Sequence, residues 1–351
     1  MSLVPGLSLS YLPLSMLERQ PPQWWDEVLG ISVFGEQRPP SWLPSVPAVH
    51  VMASELAGRD AVCEVWRAAG PLVSASRGAL RYRCNESMIF GCAMLDERDF
   101  AAESEGDSDA DSESALRRVT ESVYRQLFTL LDETGYPGLF RVWNYFPGIN
   151  AEVDGSERYW QFNAGRQDAF IASGRATRGD VPAACALGVS DGPFVLYFLA
   201  LREAPQAIEN PRQICAYDYP DRYGPRSPTF ARASVAQAGD APVLFVSGTA
   251  SIVGHRTLHP DDVVAQTAES FRNIDAVLAE ARRVAPVTAW RLDDLAYKVY
   301  VRNAADFDAV RAAFGEHVAG EAPVLFLRAD VCRADLLVEI EASGGHAAEM
   351  K

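Results

Sequence analysis

Two apolar runs near the C-terminus, Val324–Leu327 and Leu336–Ile340, flank a short polar segment that holds Cys332. Each has the length and composition of a buried strand. In the second, strand alternation puts Glu339 and Glu341 on one face and Val338 and Ile340 on the other. A carboxylate in such company is either solvated on an open sheet face or held in apolar surroundings. In the second case Glu339 stays protonated near neutral pH and qualifies as a general acid. Glu341 serves as its control, with a structural or solvated role. Arg166 and Arg226 sit among aromatic and small residues, and a planar guanidinium fork binds a carboxylate through two donors. The alternative for both is an ion pair with one of the chain's many acids. Tyr159, Tyr217 and Tyr223 offer phenol donors, or they are ordinary core aromatics. Nothing around Cys332 stabilises a thiolate, so on its own it reads as packing. Asn144, Asn150 and Asn163 read as loop braces, and His255 and His259 as structural residues of a turn and a helix start.

The elements that must position these side chains follow from periodicity. Residues 1–48 are rich in proline and tryptophan (Pro21-Pro22-Gln23-Trp24-Trp25, Pro39-Pro40, Trp42), which predicts an irregular strap packed over a domain. Strand-like pieces follow, including Leu80–Cys84 and Ser87–Leu95. The acid-rich stretch Glu97–Glu113 reads as a solvated loop. Apolar residues at three-to-four spacing predict a helix over Ser114–Thr134, ending before Gly135. Gly138–Phe146 reads as strand, Tyr159–Ser173 as helix, and Pro182–Val189 with Phe194–Leu201 as a strand pair. In the second half, Val243–Ser247 and Thr249–Val253 are short strands. His259-Pro-Asp-Asp262 opens a helix running to about Arg283. Leu295–Arg302 is a strand and Ala305–Val318 a helix, and the strand pair bearing Glu339 closes the series.

Residues 80–201 and 243–342 therefore read in the same order: strand, strand, helix, strand, helix, strand, strand. The fold class expected is α+β, a diverged duplication of one sheet-plus-two-helix unit. Its parts are the strap (1–48), an N-terminal domain (49–235) and a C-terminal domain (236–351). Under this pairing Glu339 falls opposite the Tyr197–Leu199 region, so one copy carries the acid and the other does not. That asymmetry suits a single active site shared by two halves.

Bulk properties narrow the classes. The 351 residues are 48% hydrophobic with 10% aromatics, ample for a real core, and carry a net charge of -15. Nucleic acid and anionic membrane both select basic surfaces and are not expected as partners. An anionic small molecule remains open, because local arginines outvote a global balance. The six cysteines form no CxxC pair and the five histidines no HxxxH spacing, so neither a metal nor a disulfide framework is expected. No apolar run approaches the ~18 residues of a membrane span. Met1–Leu17 lacks a basic start and is broken by Pro5 and Pro13, which argues against a signal peptide. The expected setting is cytoplasmic and reducing.

Over about a hundred residues the second unit resembles the YjgF/Rid superfamily, whose units have a chorismate-mutase-like fold. The resemblance is carried by Phe245-Val-Ser-Gly-Thr-Ala-Ser, Ala265-Gln-Thr-Ala-Glu-Ser-Phe-Arg-Asn-Ile-Asp-Ala-Val-Leu, Lys298-Val-Tyr-Val-Arg-Asn and Val338-Glu-Ile-Glu-Ala. Rid proteins hold a substrate carboxylate with an arginine on the strand near Val324, where this chain has an apolar residue, which tells against simple imine hydrolysis. Nearly the whole chain resembles the chorismatases, which embed a Rid-like half in a longer chain. That resemblance rests on Phe140-Arg-Val-Trp-Asn-Tyr-Phe-Pro-Gly-Ile-Asn150, Arg158-Tyr-Trp-Gln-Phe-Asn-Ala-Gly-Arg166, Tyr223-Gly-Pro-Arg-Ser-Pro-Thr-Phe-Ala-Arg-Ala233, Ser247-Gly-Thr-Ala-Ser-Ile-Val-Gly-His255, and Cys332 ahead of Glu339.

The resemblance implies cleavage of chorismate with release of pyruvate and no cofactor. Glu339 would be the general acid, Arg166 and Arg226 would hold carboxylates, and Tyr159, Tyr217 and Tyr223 would donate to substrate oxygens. Cys332 and Gly248 would select the product. Cysteine with glycine resembles the branch forming 3-hydroxybenzoate, and a further branch also yields 4-hydroxybenzoate. The hydrolytic branch, giving a dihydroxycyclohexadiene carboxylate, tends to have alanine at both places. An imine hydrolase and a non-catalytic ligand-binding module are the rival readings. Single Rid units form trimers; two units in one chain imply a monomer, with a trimer as the alternative.

Overall fold

The computed structural model describes residues 6–40, 43, 46–59, 61–101, 114–239, 241–286 and 290–351. Two six-stranded sheets share one strand order. In the first, Leu80–Cys84, Met88–Leu95, Phe194–Leu201, Gly138–Pro147 and Ala183–Val189 lie side by side. In the second, Ala233–Gln237, Pro242–Ala250, Val338–Gly344, Ala296–Val301 and Val324–Arg328 repeat that arrangement. The last pair is parallel in both sheets, because a helix makes the crossover between its strands. The duplicated α+β unit expected from element order is thus present in the pairing as well.

The helices begin and end where their sequences provide partners for the free backbone groups. Helix Ala115–Thr134 starts on Ser114, whose hydroxyl accepts from Arg117 N, and stops at Gly135 in a left-handed conformation (φ 73°). It packs Leu116, Val123, Leu127 and Leu131 with helix Arg158–Ala172 over one face of the first sheet. Helix Val263–Val284 starts on Asp262, which accepts from Ala265 N, and with Phe307–His317 covers the second sheet.

The described part of residues 1–48 forms strands where an irregular strap was expected. Leu7–Pro13 and Val28–Gly35 are strands of a third, five-stranded sheet ordered Ala347–Met350, Leu7–Pro13, Ala61–Ala68, Val28–Gly35, Ala48–Val51. The prolines spare the strand interiors: Pro13 closes a strand, Pro22 opens the single turn Pro22–Trp25, and Pro47 lends its carbonyl to Ile31 N at 3.0 Å. Trp24 and Trp25 pack on the outer face of this sheet. The expected boundary at 235/236 falls inside strand Ala233–Gln237, and strand Gln206–Ile208 already belongs to the second sheet. Of the acid-rich stretch, Glu97–Phe100 forms a turn tied to Arg158, while 102–113 lie outside the described residues.

The uncovered faces of the three sheets meet in one core, which contains Tyr11, Trp66, Phe90, Trp143, Tyr197, Phe245 and Tyr300. A buried charge cluster lies within it. Lys298 Nζ is 2.7 Å from both Glu64 and Glu341, and Arg141 pairs with Glu341. Trp143 Nε1 and Tyr300 OH also donate to Glu341, each at 3.1 Å. Glu341 is therefore structural and buried rather than solvated.

Candidate active site

Strand Val338–Gly344 pairs with Ala296–Val301 on one side and Pro242–Ala250 on the other, so Glu339 is flanked by Tyr300 and Ala250. Its neighbour Pro242–Ala250 shifts register between Val246 and Thr249, and Gly248 sits in that irregularity. A Cβ built on Gly248 would overlap Glu339 Oε1 and come within 3.2 Å of Cys185 Cβ. The position has to be glycine for the carboxyl to occupy this place. Ser247 beside it joins the two units: its hydroxyl accepts from Ala184 N at 2.9 Å and donates to Ala231 O at 2.6 Å. The site therefore forms where the second sheet abuts the last strand of the first.

Glu339 opens into a cavity of about 420 Å³ between the units, within the ~300–1,000 Å³ usual for small-molecule sites. The carboxyl is buried, and none of the described residues pairs with it. Burial, reinforced by the negative charge of Glu341, pushes its pKa up to about 8. Glu339 is thus a protonated carboxylic acid at neutral pH facing a cavity, the second of the two cases that its place in the strand left open.

Of the other expected site residues, Arg166, Tyr159, Tyr223, Gly248 and Cys332 line the cavity with it. Arg166 comes from helix Arg158–Ala172 and is 2% exposed. It stacks near Tyr124 and Phe170, and its Nε and Nη2 have no hydrogen-bond partner. An unpartnered buried guanidinium is costly unless a ligand completes it. Burial raises the Tyr159 phenol well above its ordinary range, so it is a neutral donor. Burial likewise pushes the Cys332 thiol up to about 12, with the Glu339 carboxylate adding to the effect. Cys332 is therefore an uncharged wall residue at neutral pH.

Two expectations fail. Arg226 is half-exposed and pairs with Asp168 at 3.5 Å, away from the cavity lining. Tyr217 lies beneath the Arg178 guanidinium and packs against the first unit's core. Both belong to an irregular stretch in which no periodicity assigns direction. The same stretch, and the segment between strands Val324–Arg328 and Val338–Gly344, supply arginines that were not singled out. Arg232, another residue of the cavity wall, is 5% exposed, donates to Ile214 O at 2.9 Å and to Tyr219 OH at 2.8 Å, and has a buried Nε without a hydrogen-bond partner. Arg333 stacks 4.0 Å over the Tyr223 ring, donates to His255 O, and has an unpartnered buried Nη2. Arg222 reaches Tyr223 OH and His255 Nδ1 at the same wall. One signal for Arg232 was available: it stands between Ala231 and Ala233 at a strand start, where a long cation has to be buried.

Arg166, Arg222, Arg232 and Arg333 thus line one cavity, whose walls also include the aromatic Phe162, Trp160 and Phe230 and the acids Glu152, Glu157 and Asp335. Guanidinium donors of this kind can hold the carboxylates of a small ligand, and a protonated carboxyl beside them can hand it a proton. Strand Val324–Arg328 has its arginine only at the exposed end, where Arg328 lines a different, smaller cavity.

Known proteins share this architecture. Residues 64–200 match the family model described as Chorismatase FkbO/Hyg5-like, N-terminal, and residues 231–344 match Endoribonuclease L-PSP. A chorismatase of Streptomyces rapamycinicus is 37% identical over 301 residues, 84% of each chain. The chain belongs to the chorismatase family. A 3-hydroxybenzoate synthase of Streptomyces hygroscopicus is 42% identical over 236 residues, covering 64% of this chain and 68% of that one. A chorismatase crystal structure superposes with a TM-score of 0.84 at 32% identity, covering 97% of this chain and 99% of that one. The resemblance read from the motifs is thus borne out at the level of family and fold.

Proposed function

We propose that this protein converts chorismate to pyruvate and 3-hydroxybenzoate, with Glu339 as the general acid. The proposal is supported by a buried, unpaired carboxyl at the wall of a cavity that Arg166, Arg232 and Arg333 also line, each with an unpartnered N–H, and burial pushes that carboxyl's pKa up to about 8. Chorismate carries two carboxylates and an enol ether. Arg166, Arg232 and Arg333 supply the cationic donors, and their placement between the two units suits a ligand with two separated charges. Glu339 gives its proton to the terminal methylene carbon of the enolpyruvyl group, leaving an oxocarbenium ion. The ring C3–O bond then breaks, its electron pair staying on oxygen, and pyruvate departs. The oxygen of the 4-hydroxyl closes on C3 as its proton is lost, in an arene-oxide-like intermediate. Reopening at C4 with loss of the C3 proton gives 3-hydroxybenzoate. No net water or proton is consumed.

The aromatic product is favoured by Gly248 and Cys332 and by the likeness to a 3-hydroxybenzoate synthase. With glycine at 248, the protonated carboxyl rests against the cavity wall instead of being displaced into it. Incubating the purified protein with chorismate and resolving the products by chromatography tests the proposal. The expected result is pyruvate with an equal amount of 3-hydroxybenzoate. Added 4-hydroxybenzoate would widen the product assignment, a dihydroxycyclohexadiene carboxylate would replace it, and absence of pyruvate would end it. A reducing cytoplasmic setting accords with the six free cysteines. No helix among the described residues is long and apolar enough to cross a membrane.

A further inference from the structure

We infer that Arg302 is a positioning residue of the active site: its guanidinium fixes segment 329–337, which carries Cys332 and Arg333, against the cavity. Strand order makes such a device necessary. Val324–Arg328 and Val338–Gly344 lie on opposite sides of Ala296–Val301, so the chain joining them has to cross the end of that middle strand. The residue standing there is Arg302, whose own N–H bonds Leu337 O at 3.0 Å. The crossing has little regular structure. One end is pinned by the Asp330–Gly188 backbone pair, and the other by Gln266, which accepts from Leu337 N at 2.8 Å.

Between these ends Arg302 provides the fastening. Its Nε donates to Leu336 O at 2.8 Å and its Nη1 to Asp330 Oδ1 at 2.8 Å. Its Nη2 donates to Val331 O at 3.0 Å and Arg333 O at 2.8 Å, the two carbonyls that flank Cys332. The same nitrogen reaches Asn150 Oδ1 at 3.1 Å, and Asn150 in turn donates to Glu157. Asn150 and Glu157 line the cavity from the first unit, whereas Arg302 itself does not. One side chain therefore sets the spacing between walls contributed by both units, acting through its partners and not through substrate. Its side chain is 15% exposed, and the fork geometry is specific: a lysine has three donors on a single nitrogen and cannot span these acceptors.

Arg302→Lys and Arg302→Met, made in the full chain, test the assignment by peptide-resolved hydrogen exchange. Exchange should quicken across 329–337 and stay unchanged in helices Ala115–Thr134 and Val263–Val284. With chorismate as substrate, kcat/KM should fall ~10–10²-fold, the range a misplacement of about 1 Å produces. The product pattern should shift, while the pH at which rate declines, set by Glu339, stays put. Only these kinetic arms rest on the proposed reaction, so a wild-type protein inactive on chorismate would end that reading and leave the exchange result decisive. Wild-type exchange in 329–337, or an increase spread evenly over the chain, overturns the assignment. If neither variant folds, Asp330→Asn weakens the fastening from the loop side, and unchanged exchange there overturns it equally.

Discussion

At the residue scale, Glu339 combines two requirements that oppose each other. A general acid has to keep its proton at working pH, and burial achieves this by penalising the carboxylate form. The same burial makes the residue a liability for folding. Its folded-state pKa of about 8 lies above the ordinary value near 4.5, so the native state binds the extra proton between those values. Stability contributed by this group is present at low pH and declines as pH rises from about 4.5 to about 8. Glu339→Gln should therefore melt higher than the wild type at pH 8 and alike at pH 4, by calorimetry, while losing ~10²–10⁴ in kcat. For the wild type, kcat/KM, which reports the free enzyme, should decline as pH rises through about 8. A rate that keeps rising past pH 9 would remove Glu339 from the acid role. Gly248→Ala tests the neighbouring contact: its Cβ pushes on the end of a side chain and not on backbone, so kcat should fall ~10²-fold with little change in melting temperature.

At the element scale, the strand Val338–Gly344 presents two acids on one face, and their fates diverge over a single pleat. Glu341 points into the centre of the three-sheet core and is held ionised by Lys298 and Arg141, which keep its pKa low despite burial. Glu339, one step nearer the sheet end, meets the cavity and has no cation bonded to it. Lys298→Met would leave Glu64 and Glu341 buried without their shared cation. Denaturant titration should show a loss of about 3–5 kcal/mol, as expected for breaking a buried pair from one side. A loss under about 1 kcal/mol would mean the cluster is hydrated. Much of this level was legible in the sequence. Ser114 and Gly135 bracket the first long helix as their chemistry requires, and the alternation around Glu339 gave its face correctly. The N-terminal strands were not legible. Proline and tryptophan dominate the composition there, yet the prolines fall between the strands and leave their interiors free.

At the scale of the whole molecule, three sheets from one chain enclose a common core. The third sheet is completed by Ala347–Met350 pairing in parallel with Leu7–Pro13, so the two ends of the chain are joined in it. The two sheet-plus-two-helix units also abut each other within the chain, where strand Ala183–Val189 meets strand Pro242–Ala250. Light scattering should accordingly give the monomer mass of 38.3 kDa; a stable mass three times larger would contradict this.

By itself the sequence determined the duplicated element order, the absence of metal-ligand spacing, the face on which Glu339 lies, and the family. These are properties of local periodicity and of residues close in the chain. Only the tertiary structure decided which arginines face the cavity. Arg226 and Arg232 lie six residues apart in one irregular stretch, and no repeat tells which is buried. Their directions are set by contacts distant in sequence: Asp168 draws Arg226 to the surface, while Tyr219 and Ile214 O hold Arg232 inside. The raised pKa of Glu339 is of the same kind, since desolvation depends on what two units, formed by distant parts of the chain, bring against it.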